Sequence, residues 1–241
     1  MSHVLYEKSG PIASLRLNRP EKLNAITREM LDAMAVALDD AAADDKVRVL
    51  ILSGEGRAFS AGFDLGPVQA ADGESEAEFV RRELRHDFDS IMRFFEFPKP
   101  VIAAVHGYCL GSSLEIAAVC DLVVAASDCR FGEPEVTFGS GIVCLVLPWI
   151  VGQKHAREML FTGRKDFDAD HALAIGLVNR VVRPETLMDE AQALAASIAQ
   201  NDARAVRMTK KAMNMGLEAA GIRTALEQAL EIDIDIETKG G

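Results

Sequence analysis

The stretch KPVIAAVHGYCLGSSLEIAAVCDLVVA, Lys99 to Ala125, carries a strand, a glycine turn, a helix and a second strand in close succession. Val101 to Val105 is an unbroken apolar run, the mark of a strand buried on both faces. His106-Gly107-Tyr108 leaves it, and Gly111-Ser112-Ser113 opens a helix that runs to about Val119. Asp121 to Ala125 is strand again. Upstream the same order appears. Ile12 to Leu17 alternates as a strand and ends at the turn Asn18-Arg19-Pro20. Thr27 opens a helix with Leu31, Met34 and Leu38 on one face, closed by Asp44-Asp45, and Val47 to Leu52 is a buried strand. Strand, helix, strand predicts a parallel α/β crossover, and the fold class is α/β.

Further along, the pattern keeps alternating to about Val182. Ala58 to Gly66 is a small-residue loop, AFSAGFDLG. Ala70 to Glu78 is acidic and weakly patterned, which predicts a mobile surface segment. A helix is expected from about Phe79 to Phe95, broken at Pro98-Lys99-Pro100. Arg130 to Glu135 reads as a short extended piece and a turn. From Pro184 onward the pattern is helical only, and Leu226, Leu230 and Ile234 recur at four. The shift near 184–200 marks a domain boundary. No internal repeat and no low-complexity tract is discernible.

The chain has 241 residues, 49% hydrophobic and 26% charged, which excludes a disordered chain and permits a large core without metals or disulfides. The net charge of −11 argues against nucleic acid or an anionic membrane as the main partner. A local basic pocket for a phosphorylated ligand stays compatible with it. MSHVLYEKSG lacks the apolar core of a signal peptide, and no apolar run is long enough to span a membrane. Cys109, Cys120, Cys129 and Cys144 have no C-x-x-C spacing, so free thiols in a reducing cytoplasm are expected.

Four places can carry chemistry. In AFSAGFDLG, Gly62 and its small neighbours let a ligand approach the backbone, where the Phe63 amide could meet a ligand oxygen. In GYCLGSSLE, a glycine turn feeds a helix whose first amides are unpaired, a site for a negative oxygen at Ser112. Ser112 or Ser113 as nucleophile lacks a G-x-S-x-G setting, and Ser112-x-x-Glu115 also fits a capping box. In FGEPE, Glu133 and Glu135 flank Pro134; two carboxylates in different surroundings can divide acid and base roles. His3, His86, His106, His155 and His171 show no metal-ligand spacing, so no metal is expected. No dinucleotide or P-loop signature is present.

NRPEKLNAI (18–26), AFSAGFDL (58–65), the 99–125 stretch and FGEPEV (131–136), in that order and spacing, resemble the enoyl-CoA hydratase/isomerase (crotonase) superfamily, closest in motifs to the hydratases. Similarity continues through LFTGR (160–164) and HALAIGLVNRVV (171–182), covering about residues 4–215. The resemblance implies a spiral of β-β-α turns over 1–195, with CoA and acyl sites, and a helical C-terminal region at 196–241 that forms trimers or dimers of trimers. It implies a cytoplasmic acyl-CoA enzyme that hydrates 2-enoyl-CoA to 3-hydroxyacyl-CoA, a lyase with no cofactor, since coenzyme A is part of the substrate.

Residue by residue, the resemblance places the oxyanion hole on the amides of Phe63 and Ser112, and the hydratase glutamates on Glu115 and Glu135. It places CoA contacts on Lys22, Leu23, Ala61, Asp64, Leu65, Gly66 and Gly111, with Lys22 and Arg19 supplying charge to the phosphates. Two departures stand out. Ser112 occupies a position where most members have glycine. Phe138-Gly139-Ser140-Gly141-Ile142-Val143-Cys144 replaces a glycine- and proline-rich loop, which is expected to reshape the acyl pocket. The chain also stops short of where many relatives end, which is expected to leave that pocket more open. The alternatives are a Δ3,Δ2-enoyl-CoA isomerase, a hydrolase working through the same enolate, and a non-catalytic binding member of the superfamily.

Overall fold

A computed structural model of the chain describes residues 2–66 and 70–239. In chain order its strands are β1 (Val4–Ser9), β2 (Ile12–Leu17), β3 (Val49–Gly54), β4 (Val101–Val105), β5 (Tyr108–Leu110), β6 (Leu122–Ala126), β7 (Arg130–Gly132), β8 (Phe167–Asp168) and β9 (Arg180–Val182). The helices are α1 (Arg28–Ala43), α2 (Glu76–Glu96), α3 (Ser112–Val119), α4 (Leu147–Ile150), α5 (Gly152–Thr162), α6 (Ala169–Ala174), α7 (Leu187–Ala199), α8 (Ala203–Ala219) and α9 (Ile222–Lys239). A six-stranded sheet has the order β1-β2-β3-β4-β6-β9, and a three-stranded sheet has the order β5-β7-β8. In the large sheet only the β1–β2 hairpin is antiparallel; the other neighbours are parallel.

The unbroken apolar runs are explained by the two faces they serve. On one face Leu50, Leu52, Val101, Ala103 and Val105 join the main core with α1, α2 and α3. On the other, Val49, Ile51, Ile102, Ala104 and Val124 pack beneath Leu187, Ala191 and Ala195 of α7. Successive strand side chains point to opposite faces, so a strand covered on both sides has no polar position to spare.

The spiral lies in the second sheet. Ile26 bridges Phe63 and Ser60 bridges Cys109, both in parallel, while β5 pairs with β7. Three successive turns thus run from a strand of the large sheet, through a short extended piece, into a helix: β2 to Ile26 to α1, β3 to Ser60 and Phe63 to α2, β4 to β5 to α3. The expected β-β-α repeat is present in space, although no sequence repeat announces it.

One expected boundary needs correction. The helix expected from Phe79 begins at Glu76, because Ser75 and Glu78 form a capping box in a segment without apolar periodicity. The segment expected to be mobile carries bonds of its own from Ala71 onward: Glu74 accepts the Ala71 amide and pairs with Arg82. Residues 67–69 lie outside the described residues. β1, β5 and β8 were not expected as strands.

In the C-terminal region, α9 buries Ile222, Leu226, Leu230 and Ile234, the face expected from the spacing of four, and packs on α2. α8 differs, since Lys210 is its one buried residue. The Lys210 ammonium lies 2.6 Å from Asp121 and donates to the Lys99 carbonyl, while Lys99 donates to the carbonyls of Ala41 and Asp44.

Candidate active site

Two unpaired amides come together where the second turn of the spiral meets the third. Ile26 spends its own amide on the Gly62 carbonyl and its carbonyl on the Asp64 amide. In a parallel bridge this turns the Phe63 N–H to the opposite side. Gly62 makes the approach possible: its φ is +96°, and a β-carbon there would lie 2.9 Å from the Leu110 carbonyl oxygen and 3.6 Å from the Ser112 nitrogen. Ser112 is the first residue of α3, so its amide is one of the donors a helix start leaves without a partner. Among the described residues neither amide has an acceptor.

The two serines differ. The Ser113 hydroxyl lies 2.9 Å from the Ser60 carbonyl oxygen and 2.8 Å from that of Leu110, and its one proton serves either, which stitches α3 to the loop. The Ser112 hydroxyl is buried without a partner. The capping-box reading of Glu115 does not hold, because Gly111 is the N-cap and makes no side-chain bond. Glu115 instead turns inward, 2% exposed, and accepts the Cys144 amide at 2.9 Å on Oε1. Its Oε2 has no partner. The departing 138–144 loop therefore holds one of the two expected glutamates directly.

Glu135 starts a short 3-10 helix, Glu135–Phe138, after Pro134. A β-carbon on Gly111 would lie 2.2 Å from Glu135 Oε1, so glycine at 111 makes room for the carboxylate. Glu133, on the same side of the chain as Phe131, is 0% exposed. Burial pushes Glu115 well above the usual carboxylate range; the nearby charges of Glu135, Asp233 and Asp87 add to this, and the Cys144 amide opposes it. Glu133 is also pushed well above that range, by burial first and then by Glu115 and Glu135. Glu135 is raised too, since burial outweighs its own backbone bond and a bond from Glu133.

Glu115 and Glu135 line one cavity of about 470 Å³, together with Phe63 and Ser112. Leu84, Phe138 and Val143 add apolar wall, while Asp87, Glu83 and Glu237 add carboxylates. Burial, then Glu83 and Asp233, raise Asp87 to about 7; Arg28 opposes them. Asp233 on α9, packed against Gly141, also rises to about 7, through burial and Glu237.

Of the expected CoA contacts, Ala61, Asp64 and Leu65 line this cavity, and Leu23 lines a neighbouring groove of about 870 Å³. The Ala61 amide is taken by the Leu23 carbonyl. Asp64 is held by Arg19 and by the Gly66 amide, which lower its pKa. Arg19, expected to supply charge to a phosphate, is thus engaged by a carboxylate. Lys22 is exposed. The groove has its own cations, Arg57, Arg130, Arg164 and Lys165, none of which was assigned a binding role from the sequence; Arg164 pairs with Asp166 on the same wall. They are scattered through three segments of the sequence and gather only in the fold. Leu110 and Lys165 wall both spaces. Among the described residues no cluster of His, Cys, Asp and Glu is arranged to hold a metal ion.

Residues 7–238 match the family model described as enoyl-CoA hydratase/isomerase. The chain is 37% identical to the short-chain-enoyl-CoA hydratase of Clostridium acetobutylicum, across 94% of this chain and 86% of that protein. It is 36% identical to the crotonyl-CoA hydratase of Syntrophomonas wolfei, across 97% and 87%. Among solved structures, an enoyl-CoA hydratase/isomerase from Xanthobacter autotrophicus superposes with a TM-score of 0.93 at 47% identity, covering 98% of this chain and 87% of that one.

Proposed function

The chain belongs to the enoyl-CoA hydratase/isomerase family, and from that premise we propose that it hydrates 2-enoyl-CoA thioesters to 3-hydroxyacyl-CoA at the cavity between Phe63 and Glu135. The observation that carries this reading is that two unpaired amides and two buried carboxyls line one cavity.

The thioester carbonyl oxygen sits between the amides of Phe63 and Ser112. The positive end of α3 adds to their field. Because the donors are fixed before the substrate arrives, they favour the charge that develops on oxygen, worth about 3–4 kcal/mol for one good donor. Polarisation makes C3 electrophilic. A water held between the two glutamates adds to C3 and gives its proton to the charged carboxylate. The neutral carboxyl delivers a proton to C2. The pair therefore needs one proton between its two members. Burial and mutual repulsion favour that state over two charges. Proton transfer of this kind contributes roughly 10²–10⁴-fold.

The coenzyme A portion reaches the cavity along the groove of Arg57, Arg130, Arg164 and Lys165, which supplies local positive charge on an acidic protein. Every step uses protein groups, the thioester and water alone. Assembly through the C-terminal helices, as a trimer or dimer of trimers, belongs to the same reading. Met208, Met213 and Met215 are exposed on α8, a helix that buries no apolar side chain of its own. Four buried free thiols suit the reducing cytoplasm. No described helix is long and apolar enough to cross a membrane.

The test is loss of the conjugated-thioester absorbance of crotonyl-CoA. Wild-type protein is expected to turn over, while Glu115→Gln and Glu135→Gln lose about 10²-fold or more in kcat and still bind acyl-CoA. Full activity in either variant overturns its role. Migration of the double bond without water uptake would replace hydration by isomerisation.

A further inference from the structure

The Ser112 hydroxyl has no place in the steps drawn above, and nothing in the chain accounts for it. Ser112 lines the cavity and is 5% exposed, and its Oγ is buried with no hydrogen-bond partner among the described residues. A serine further along a helix can return its hydroxyl to the carbonyl one turn back. At the first residue of α3 that carbonyl belongs to Tyr108, and the Ser60 amide holds it. Other carbonyls nearby are engaged too: Gly111 accepts the amides of Leu114 and Glu115, and Gly62 accepts that of Ile26. A buried hydroxyl without a partner destabilises the fold, and an alanine would relieve it. The missing partner is therefore to be sought in what enters the cavity.

The hydroxyl lies beside the two donor amides. A β-carbon on Gly62 would lie 3.6 Å from the Ser112 nitrogen and 3.6 Å from its Oγ. Amide and hydroxyl thus both face Gly62, whose neighbour Phe63 supplies the other donor. No carboxyl or imidazole bonds to the hydroxyl, so nothing draws its proton away, and it acts as a donor and not as a nucleophile.

The chemistry of the thioester oxygen decides when that donor is used. A carbonyl oxygen has two lone pairs, and the amides of Phe63 and Ser112 take both. When the oxygen becomes enolate-like it gains a third. On the reading that this cavity holds an acyl thioester, we propose that the Ser112 hydroxyl is a third donor of the oxyanion hole, idle in the resting enzyme and bonded to the thioester oxygen once negative charge develops there. The proton stays on Oγ throughout; only a hydrogen bond forms. A bond made to the charged oxygen alone acts on the barrier and leaves substrate binding nearly untouched.

The experiment uses the full chain and compares wild type with Ser112→Ala and Ser112→Cys. Both variants keep the amide. Alanine deletes the hydroxyl, and cysteine fills its volume with a weak donor. With crotonyl-CoA as substrate, kcat is expected to fall about 10–100-fold in Ser112→Ala while KM changes by less than about 3-fold. Ser112→Cys should follow alanine. The melting temperature of Ser112→Ala should match or exceed that of the wild type. A second readout needs no turnover. Acetoacetyl-CoA ionises to an enolate whose absorbance differs from that of the keto form. Titration of the bound compound gives the pKa of this step, expected to rise by about one to two units in Ser112→Ala, the same 10–100-fold. Unchanged kcat and unchanged enolate pKa in that variant overturn the proposal. So does full activity in Ser112→Cys, which would show that the site needs volume and not a donor. So does a lowered melting temperature with no shift in the enolate pKa, the sign of a hydroxyl that only supports the fold. If the wild type hydrates no 2-enoyl-CoA but the enolate pKa still shifts, the hydratase reading fails and the third donor stands.

Discussion

Gly111 and Glu135 occupy interlocking space: a β-carbon on the glycine would lie 2.2 Å from the carboxylate's Oε1. The glycine also sits at φ +55° and ψ −136°, a conformation that side chains disfavour. Gly111→Ala is therefore expected to push Glu135 out of position as well as strain the start of α3. A displacement of this size costs about 10²-fold in kcat. Comparing kcat with acyl-CoA binding checks it, since binding by the groove should survive.

Asp87 rises to about 7 through burial, while an unfolded aspartate titrates near ~3.9. The folded protein thus holds this proton over a range where the unfolded chain has lost it. The resulting stability is complete below the unfolded pKa and disappears as pH climbs through about 7. Asp87→Asn should flatten the fall in stability between those limits and be the more stable form at pH ~8, by up to about 4 kcal/mol. Urea melts at several pH values measure this. A variant curve that runs parallel to the wild type across the same range would contradict the assignment.

Arg57 lines the basic groove and is exposed. Arg57→Gln should raise KM for acyl-CoA by about 3–10-fold with kcat unchanged, the mark of lost uniform binding. The salt dependence of KM should weaken with it, because exposed charges are screened. Equal KM values at low salt would remove Arg57 from the CoA path.

Lys210 is the buried anchor of α8, and its partner Asp121 also accepts the Val101 amide. Lys210→Met should cost about 3 kcal/mol by leaving that carboxylate without its counter-charge. Replacing Asp121 by asparagine in the same chain should recover part of the loss. Denaturant unfolding of the two single variants and the double variant closes the cycle.

The sequence made some of this legible and hid the rest for physical reasons. Val101–Val105 and Ile12–Leu17 could be bounded to the residue because long apolar or alternating runs have one solution each. The spiral could not be read from periodicity. Its second-sheet pieces are single bridges at Ile26, Phe63 and Ser60 or three-residue strands, too short to carry a pattern. Glu115, Glu135, Phe63 and Ser112 were named from motifs, and the fold brings all four to one cavity. The groove was missed because Arg57, Arg130 and Arg164 lie far apart in sequence and only the fold gathers them. Ser75-x-x-Glu78 was a visible cap signature, obscured by the acidic run around it. A glutamate in a turn motif ordinarily reads as solvated, so only the clamp of β5 and β8 on β7 reveals that Glu133 is buried.

Strands β1, β2, β3, β4, β6 and β9 lie side by side in the order in which they are synthesised. Each strand leaving the ribosome thus finds the edge it needs already laid down, and no later segment must be threaded between earlier ones. The cavity lined by Glu115 and Glu135 follows a different timetable. Phe63 and Ser112 are in place by the third turn, but Glu237 on α9 supplies a wall only after the whole spiral has emerged. The nascent chain therefore folds its scaffold before this cavity gains its C-terminal wall.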